Sequence, residues 1–255
     1  MRWEWVPMLY QAVKKKELFT MDNLTWGFVR PRRPIDRQLA YAQSAWICKY
    51  LEETYGHDAI LKMLEEFKNA GRMEDVFPKI TGKSIPQFEK DFSAWCEKQV
   101  DTWGYDEETT KKVEELTANA EKMIKDKQFP EAIKAWEEIA KLRPVDALPH
   151  KRLAGLYLLK DVNQPDKAAE HLIALHKVEI KDNRYAKRVA RIYRDANQLD
   201  KSQQFALESV YIDPYDLSAH ELLAELLEKT GADKPALERE RRVIGVLKER
   251  AAAKR

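Results

Sequence analysis

Four cationic side chains, Arg184, Lys187, Arg191 and Arg194, follow one another at spacings of 3, 4 and 3. On a helix those spacings put all four on one face, a stripe able to hold carboxylates through charge-assisted hydrogen bonds. Farther along, Glu221, Glu225 and Glu228 repeat the pattern with opposite sign, so the two stripes could also neutralise each other. Exposed pairs of that kind contribute from nothing to about 1 kcal/mol each. Hydrolytic zinc chemistry asks for different residues: two His one turn apart on a helix and a Glu base beside the first. The five histidines are His57, His150, His171, His176 and His220. His220-Glu221 begins that motif, but Ala224 stands where the second His belongs, and His171 and His176 are five apart. No metal-ligand set is expected from these residues. Gly82-Lys83-Ser84 mimics the end of a phosphate-binding loop, yet Phe77 occupies the place of its first Gly, so the segment reads as a turn and a helix cap. Cys48 and Cys96 lie beside Ile47 and Trp95 and read as small core residues; two cysteines make no disulfide framework.

The elements that carry these groups are helical. The 255 residues hold 45 Lys+Arg against 43 Asp+Glu, with 35% charged and 44% hydrophobic residues. Balanced charge removes the simplest electrostatic case for nucleic acid. No apolar run approaches the ~20 residues of a spanning helix. Met1-Arg2-Trp3-Glu4-Trp5 lacks the apolar core of a secretory signal. Export is therefore expected only if the natural chain starts upstream of Met1, and the residues assign no compartment.

Six of the seven tryptophans precede residue 104, and Asp101–Thr110 combines a Gly with acidic residues and little apolar pattern. The expected boundary falls there, giving domains 1–104 and 105–255. The second half repeats. Small residues recur at Ala120, Ala154, Ala190 and Ala224, spaced 34, 36 and 34, and again at Ala132, Ala168, Ser202 and Ala236, spaced 36, 34 and 34. Met123, Tyr157, Tyr193 and Leu227 follow the first set by three, and Pro144, Ile180 and Pro214 close the first three units. One two-residue insertion within residues 160–166, where Pro165 suits a helix start, keeps every position aligned. Small side chains let antiparallel helices approach, and one pair cannot bury its own apolar face, so units stack.

The pattern resembles the tetratricopeptide repeat (TPR) over about residues 111–250, without the Trp and Gly of its first helix, and with Glu240 where a large apolar residue is usual. The expected fold is all-α: a small helical subdomain, then an α-solenoid of about four TPR-like helix pairs wound as a right-handed superhelix. Glu240 suggests a polar-faced terminal cap. The resemblance implies that Lys151, Arg184, Lys187, Arg191 and Arg194 line a concave, peptide-binding groove for an acidic segment or a C-terminal carboxylate. If the two stripes pair, Arg184 and Lys151 are the cations expected to stay free. The basic tail from Arg239 to Arg255, interrupted by Glu240 and Glu249, reads as a solvated terminal helix.

In the first hundred residues, Asp36 precedes Leu39, Ala42, Trp46, Ile47, Tyr50 and Leu51 on one face, ending at Gly56. His57–Ala70 repeats the period through Ile60, Leu61, Leu64 and Phe67. Ser84-Ile-Pro-Gln87 has the spacing of a capping box and launches Phe88, Phe92 and Trp95. Pro31 and Pro34, with Arg30, Arg32 and Arg33, make an extended basic loop. The runs Ala40-Tyr-Ala-Gln-Ser44, Tyr50-Leu-Glu-Glu-Thr-Tyr-Gly56 and Ile80–Trp95 resemble the helical C-terminal subdomain of bacterial peptidase MA-like (gluzincin) metallopeptidases, many of which continue into a tetratricopeptide array. The resemblance covers about residues 3–100 and implies a zinc half that these residues do not contain. It implies too that Tyr41, with Gln43 and Ser44 nearby, faces a cleft and donates to an oxyanion; the plainer alternative packs Tyr41 against Trp46 with its hydroxyl at the surface. The leading expectation is a non-catalytic interaction module, a fragment of a larger peptidase-like protein, needing no cofactor. The alternative is the cleft wall and scaffold of a zinc metallopeptidase whose catalytic helix lies upstream or on another chain, the one case in which zinc is implied.

Overall fold

The computed structural model describes residues 3–69, 71–231 and 233–253. Among them are fourteen α-helices and no strand. Met1, Arg2 and Ala70, and the tail's last cations Lys254 and Arg255, lie outside the described residues. The chain forms two compact units, residues 1–114 with 142–145, and 115–141 with 146–255.

The first unit holds α1 (Val6–Lys14), α2 (Met21–Val29), α3 (Asp36–Tyr55), α4 (His57–Lys68), α5 (Met73–Thr81) and α6 (Ile85–Asp101). All six apolar residues expected on one face of α3 are buried. Rings fill the interior: Trp46 meets Trp95 and Trp103 edge-on at 5.5 and 5.4 Å, and Tyr50 lies 5.5–5.7 Å from Phe88, Phe92 and Trp95. Gly27 lets α2 lie on α3, because a Cβ there would stand 2.7 Å from that of Ala40.

Three local expectations change here. Helix α4 forms, but Ala59 and Met63 are its buried residues, whereas Leu61, Leu64 and Phe67 are exposed. Both stripes are apolar, and periodicity alone does not say which one turns inward. Ser84 is the N-cap of α6 without a side-chain bond, because Gln87 turns to Asp91 (2.8 Å), so the capping box does not close. Cys48 is exposed; only Cys96 is buried, and burial pushes its thiol pKa up.

The second unit is an α-solenoid of TPR-like helix pairs, built from the part of α7 (Glu107–Lys125) that follows residue 114, α8 (Phe129–Leu142) up to residue 141, α9 (Ala147–Tyr157), α10 (Pro165–Val178), α11 (Asn183–Asp195), α12 (Leu199–Ile212), α13 (Leu217–Thr230) and α14 (Lys234–Ala252). Helix α9 packs on α10, α11 on α12 and α13 on α14, while α10 meets α11 and α12 meets α13. All eight small positions are buried, Ala120, Ala132, Ala168, Ala190 and Ser202 completely. At Ser202 the near approach carries a hydrogen bond, its hydroxyl donating to the Ala190 carbonyl at 2.7 Å. A further repeat had a signal in the sequence that small-residue spacing did not reveal. Lys127, Asn163, Asn197 and Gly231, spaced 36, 34 and 34, all take positive φ (59°, 47°, 57° and 64°) where each first helix turns into its second. Asn and Gly adopt that conformation at little cost, and Lys does not.

Glu240 is not an outward-facing cap residue. It is 3% exposed, and its Oε2 lies 2.5 Å from His220 Nδ1. The other ring nitrogen of His220 donates to the Pro214 carbonyl at 3.0 Å. The polar residue at an apolar register position is thus taken up by a buried pair between α13 and α14.

Candidate functional site

Helix α11 has the plainest division of faces in the chain. Ala186, Val189, Ala190 and Ile192 are buried, and the opposite face carries Arg184, Lys187, Arg188, Arg191 and Arg194. Its N-cap, Asp182, accepts from the Arg184 backbone N–H at 3.0 Å and grips the Arg184 guanidinium at 2.6 and 2.8 Å. Helix α13, which also touches α11, starts at Asp216 in the same role. The Asp216 carboxylate caps α13 through Ser218 N and Ala219 N, receives Asn183 Nδ2 at 2.8 Å and pairs with Lys187. Lys187 also donates to Ser218 Oγ at 2.9 Å. Burial pushes the Asp216 pKa up, but Lys187, Ser218 and Asn183 overcome it and hold the carboxyl well below the usual carboxylate range.

The two stripes neutralise each other only in part, and not in the expected positions. Arg194 bridges Asp195 (2.9 Å) and Glu225 (3.1 Å). Lys187 takes Asp216 rather than Glu221, because the N-cap carboxylate lies nearer than the helix face. Glu221 and Glu228 turn to α14 and pair with Lys248 and Arg241, each at 2.9 Å. Lys151 and Arg184 are not free: Lys151 pairs with Glu179 at 2.7 Å, and Arg184 with its own N-cap. The cations left over are Arg188 and Arg191, both exposed and without a hydrogen bond or ion pair among the described residues. Arg188, one turn from both Arg184 and Arg191, belongs to the same face, although the 3-4-3 spacing of the other four cations does not include it. Arg152, beside Lys151 on α9, closes the same face toward α7 through Glu121 at 2.8 Å.

In the first unit, Tyr41 is 57% exposed on α3. Its ring meets Phe28 edge-on at 4.8 Å, and not Trp46, which is buried among Trp95 and Trp103. Gln43 faces the interior and braces the chain before α2, accepting from Phe19 N at 2.8 Å and donating to Phe19 O at 2.6 Å. The histidines lie in separate contacts: His150 Nδ1 lies 3.0 Å from His171 Nδ1, His176 pairs with Glu208 at 2.7 Å, and His57 stands 3.3 Å from Glu52. Among the described residues, no three His, Cys, Asp or Glu side chains converge where a metal could sit. Gly82 takes φ +71° as the C-cap of α5, so Gly82-Lys83-Ser84 is a turn, and Lys83 is tied to Asp91 at 2.5 Å. No helix among the described residues is long and apolar enough to cross a membrane.

Residues 3–98 match the family model described as the Peptidase MA superfamily. No curated protein matches the chain. Among solved structures, a MamA RS-1 double mutant is 16% identical with TM-score 0.46, covering 78% of this chain and 98% of that one. MamA 41-end from Desulfovibrio magneticus RS-1 is 18% identical with TM-score 0.42, covering 77% and 98%. The first TPR of Spaghetti (RPAP3), bound to an HSP90 peptide, is 13% identical with TM-score 0.38, covering 48% and 95%.

Proposed function

We propose that the repeat region, residues 105–255, is a protein-interaction module that receives a peptide or protein segment on the face formed by α9, α11 and α13. One observation carries the reading. On a face where Lys151, Arg152, Arg184, Lys187 and Arg194 all have carboxylate partners, Arg188 and Arg191 stand uncompensated side by side. They are the primary anion contacts, and the ligand segment is acidic. Arg184, anchored only to its own cap and 76% exposed at its side chain, is the next to exchange its partner for a ligand carboxylate. Lys187, sealed between Asp216 and Ser218, positions α13 instead. Fluorescence anisotropy with labelled acidic and charge-reversed peptides tests this. Arg188→Glu with Arg191→Glu should weaken acidic-peptide binding about tenfold or more, with affinity falling as salt rises. Unchanged affinity in that double variant would overturn the assignment.

A second reading draws on the family match over residues 3–98: the first unit would wall the cleft of a zinc metallopeptidase whose His-Glu-x-x-His helix is supplied upstream or by another chain. Tyr41, its hydroxyl borne on an exposed ring, would then donate to the oxyanion. Casein hydrolysis by the longer or reconstituted protein, lowered in kcat by Tyr41→Phe with KM unchanged, is the result this reading requires.

A further inference from the structure

The basic loop Arg30–Pro34 takes part in a second feature, separate from the solenoid face. A groove of about 730 Å³ opens in the first unit between the segment Leu18–Thr20, helix α2 and the loop that leads into α3. Its walls are fixed from behind. Gln43 holds both backbone groups of Phe19, Met21 N donates to Glu89 at 2.6 Å, and Thr20 caps α2 by accepting from Asn23 N. The one carboxylate at the groove, Asp36, is fully engaged: it is 4% exposed and accepts from Arg32 N and Arg33 N at 2.9 Å and from Arg33 Nε at 2.7 Å. Arg33 is consumed too, its far end bound to Glu17 at 2.6 Å.

What the groove presents is therefore lopsided. Arg30 and Arg32 line it with no carboxylate partner, and the Arg30 guanidinium lies 5.8 Å from the centre of the Trp26 ring. Trp26 is 51% exposed and, with Phe19, supplies a broad apolar wall. Asn23 spends its amide nitrogen on Thr20 Oγ1 at 2.9 Å, which leaves its carboxamide oxygen as an unused acceptor. Two uncompensated guanidiniums, an aromatic wall and one acceptor complement a ligand end that carries an anion, a large apolar side chain and one N–H donor.

We propose that this groove receives the free C-terminus of a peptide whose last residue is large and apolar. The terminal carboxylate sits at Arg30 and Arg32, the side chain lies on Trp26 and Phe19, and the last amide N–H donates to Asn23. The test is calorimetric titration of the full chain with N-acetyl-Ala-Ala-Leu-Phe as free acid and as amide, with decanoate as the non-peptide carboxylate. The acid should bind at least about tenfold more tightly than the amide, the loss expected when a charge-assisted pair goes unmade. Arg30→Gln with Arg32→Gln should remove that preference, and Trp26→Ala should weaken acid and amide together; these side chains are exposed, and circular dichroism checks that the variants fold. Arg188→Gln with Arg191→Gln should leave the titration unchanged, which separates this site from the solenoid face. Equal binding of acid and amide, no heat at about 1 mM peptide, loss of binding on changing Arg188 and Arg191, or decanoate binding as tightly as the peptide would each overturn the proposal.

Discussion

The first unit holds its helices apart with rings, and the second brings them together on alanines. Around Trp46 and Tyr50 the aromatic centroids stand 5–6 Å apart, and the bulk of those rings sets the distance between helices. In the solenoid the distance is set by fully buried Ala120, Ala132, Ala168 and Ala190, with larger side chains packed to either side. Large rings bury much area at irregular positions. A stack of near-identical hairpins repeats its polar groups with its apolar ones, and polar groups that recur inside must be satisfied each time. The solenoid leaves Arg188 and Arg191 over on a face otherwise paired, and the first unit leaves over an aromatic groove.

The sharpest way to break that contrast is inside the last helix pair. His220→Leu or Glu240→Leu alone strands a buried polar partner and should cost about 3–5 kcal/mol of unfolding free energy. The two together restore an apolar contact and should recover most of the loss, read as non-additivity in urea melts. The matching experiment in the first unit is Gln43→Leu, which leaves the Phe19 N–H and C=O without partners and should cost about 2 kcal/mol. The same variant loosens the wall of the Trp26 groove, so its effect on acid-peptide binding checks that groove independently.

The extent to which the sequence could be read follows from the same contrast. Ala120 through Ala236 were legible because a 34-residue period with one insertion leaves little freedom in placing small residues, and every one is buried. The inward face of α4 was not, since Ile60 and Leu64 alternate with Ala59 and Met63 and both stripes are apolar. The cation stripe on α11 was legible as a stripe, but its pairing was not. Repeat arithmetic joins Lys187 to Glu221, whereas a cap at Asp216, placed by the loop and not by the helix period, captures it first. The burial of Glu240 was not legible for a related reason, because its partner His220 is twenty residues away and no spacing rule connects them.

A smaller effect separates the units by pH. Burial lowers the pKa of His150 below its ordinary 6.5, helped by the neighbouring His171. Burial likewise lowers that of His171, against the opposing pull of Glu170 and Glu137. A base whose pKa is depressed on folding binds more protons when unfolded, so its contribution to stability is present above pH 6.5 and lost as pH falls through the depressed value. The solenoid should therefore lose Tm between pH 7 and 5, above the range where Asp216, its carboxyl held well below the usual carboxylate range, titrates. His150→Asn with His171→Asn should flatten the loss in that window. A slope unchanged in the double variant would place the sensitivity elsewhere.

The finest test concerns the turn that the solenoid repeats. Of the four turn residues with positive φ, Lys127 alone is neither Asn nor Gly. A left-handed conformation costs a residue with a Cβ about 1–2 kcal/mol, and glycine returns part of that through its larger unfolded-state entropy. Lys127→Gly should thus stabilise the chain by about 0.5–1 kcal/mol, while Gly231→Lys should destabilise it by a similar amount. Asn163→Gly and Asn197→Gly should be nearly neutral, because Asn already visits that region. Thermal melts of the four variants rank them directly. If Lys127→Gly lowered Tm instead, the four positions would share a register without sharing a strain, and the turn would owe its shape to the helices packed around it.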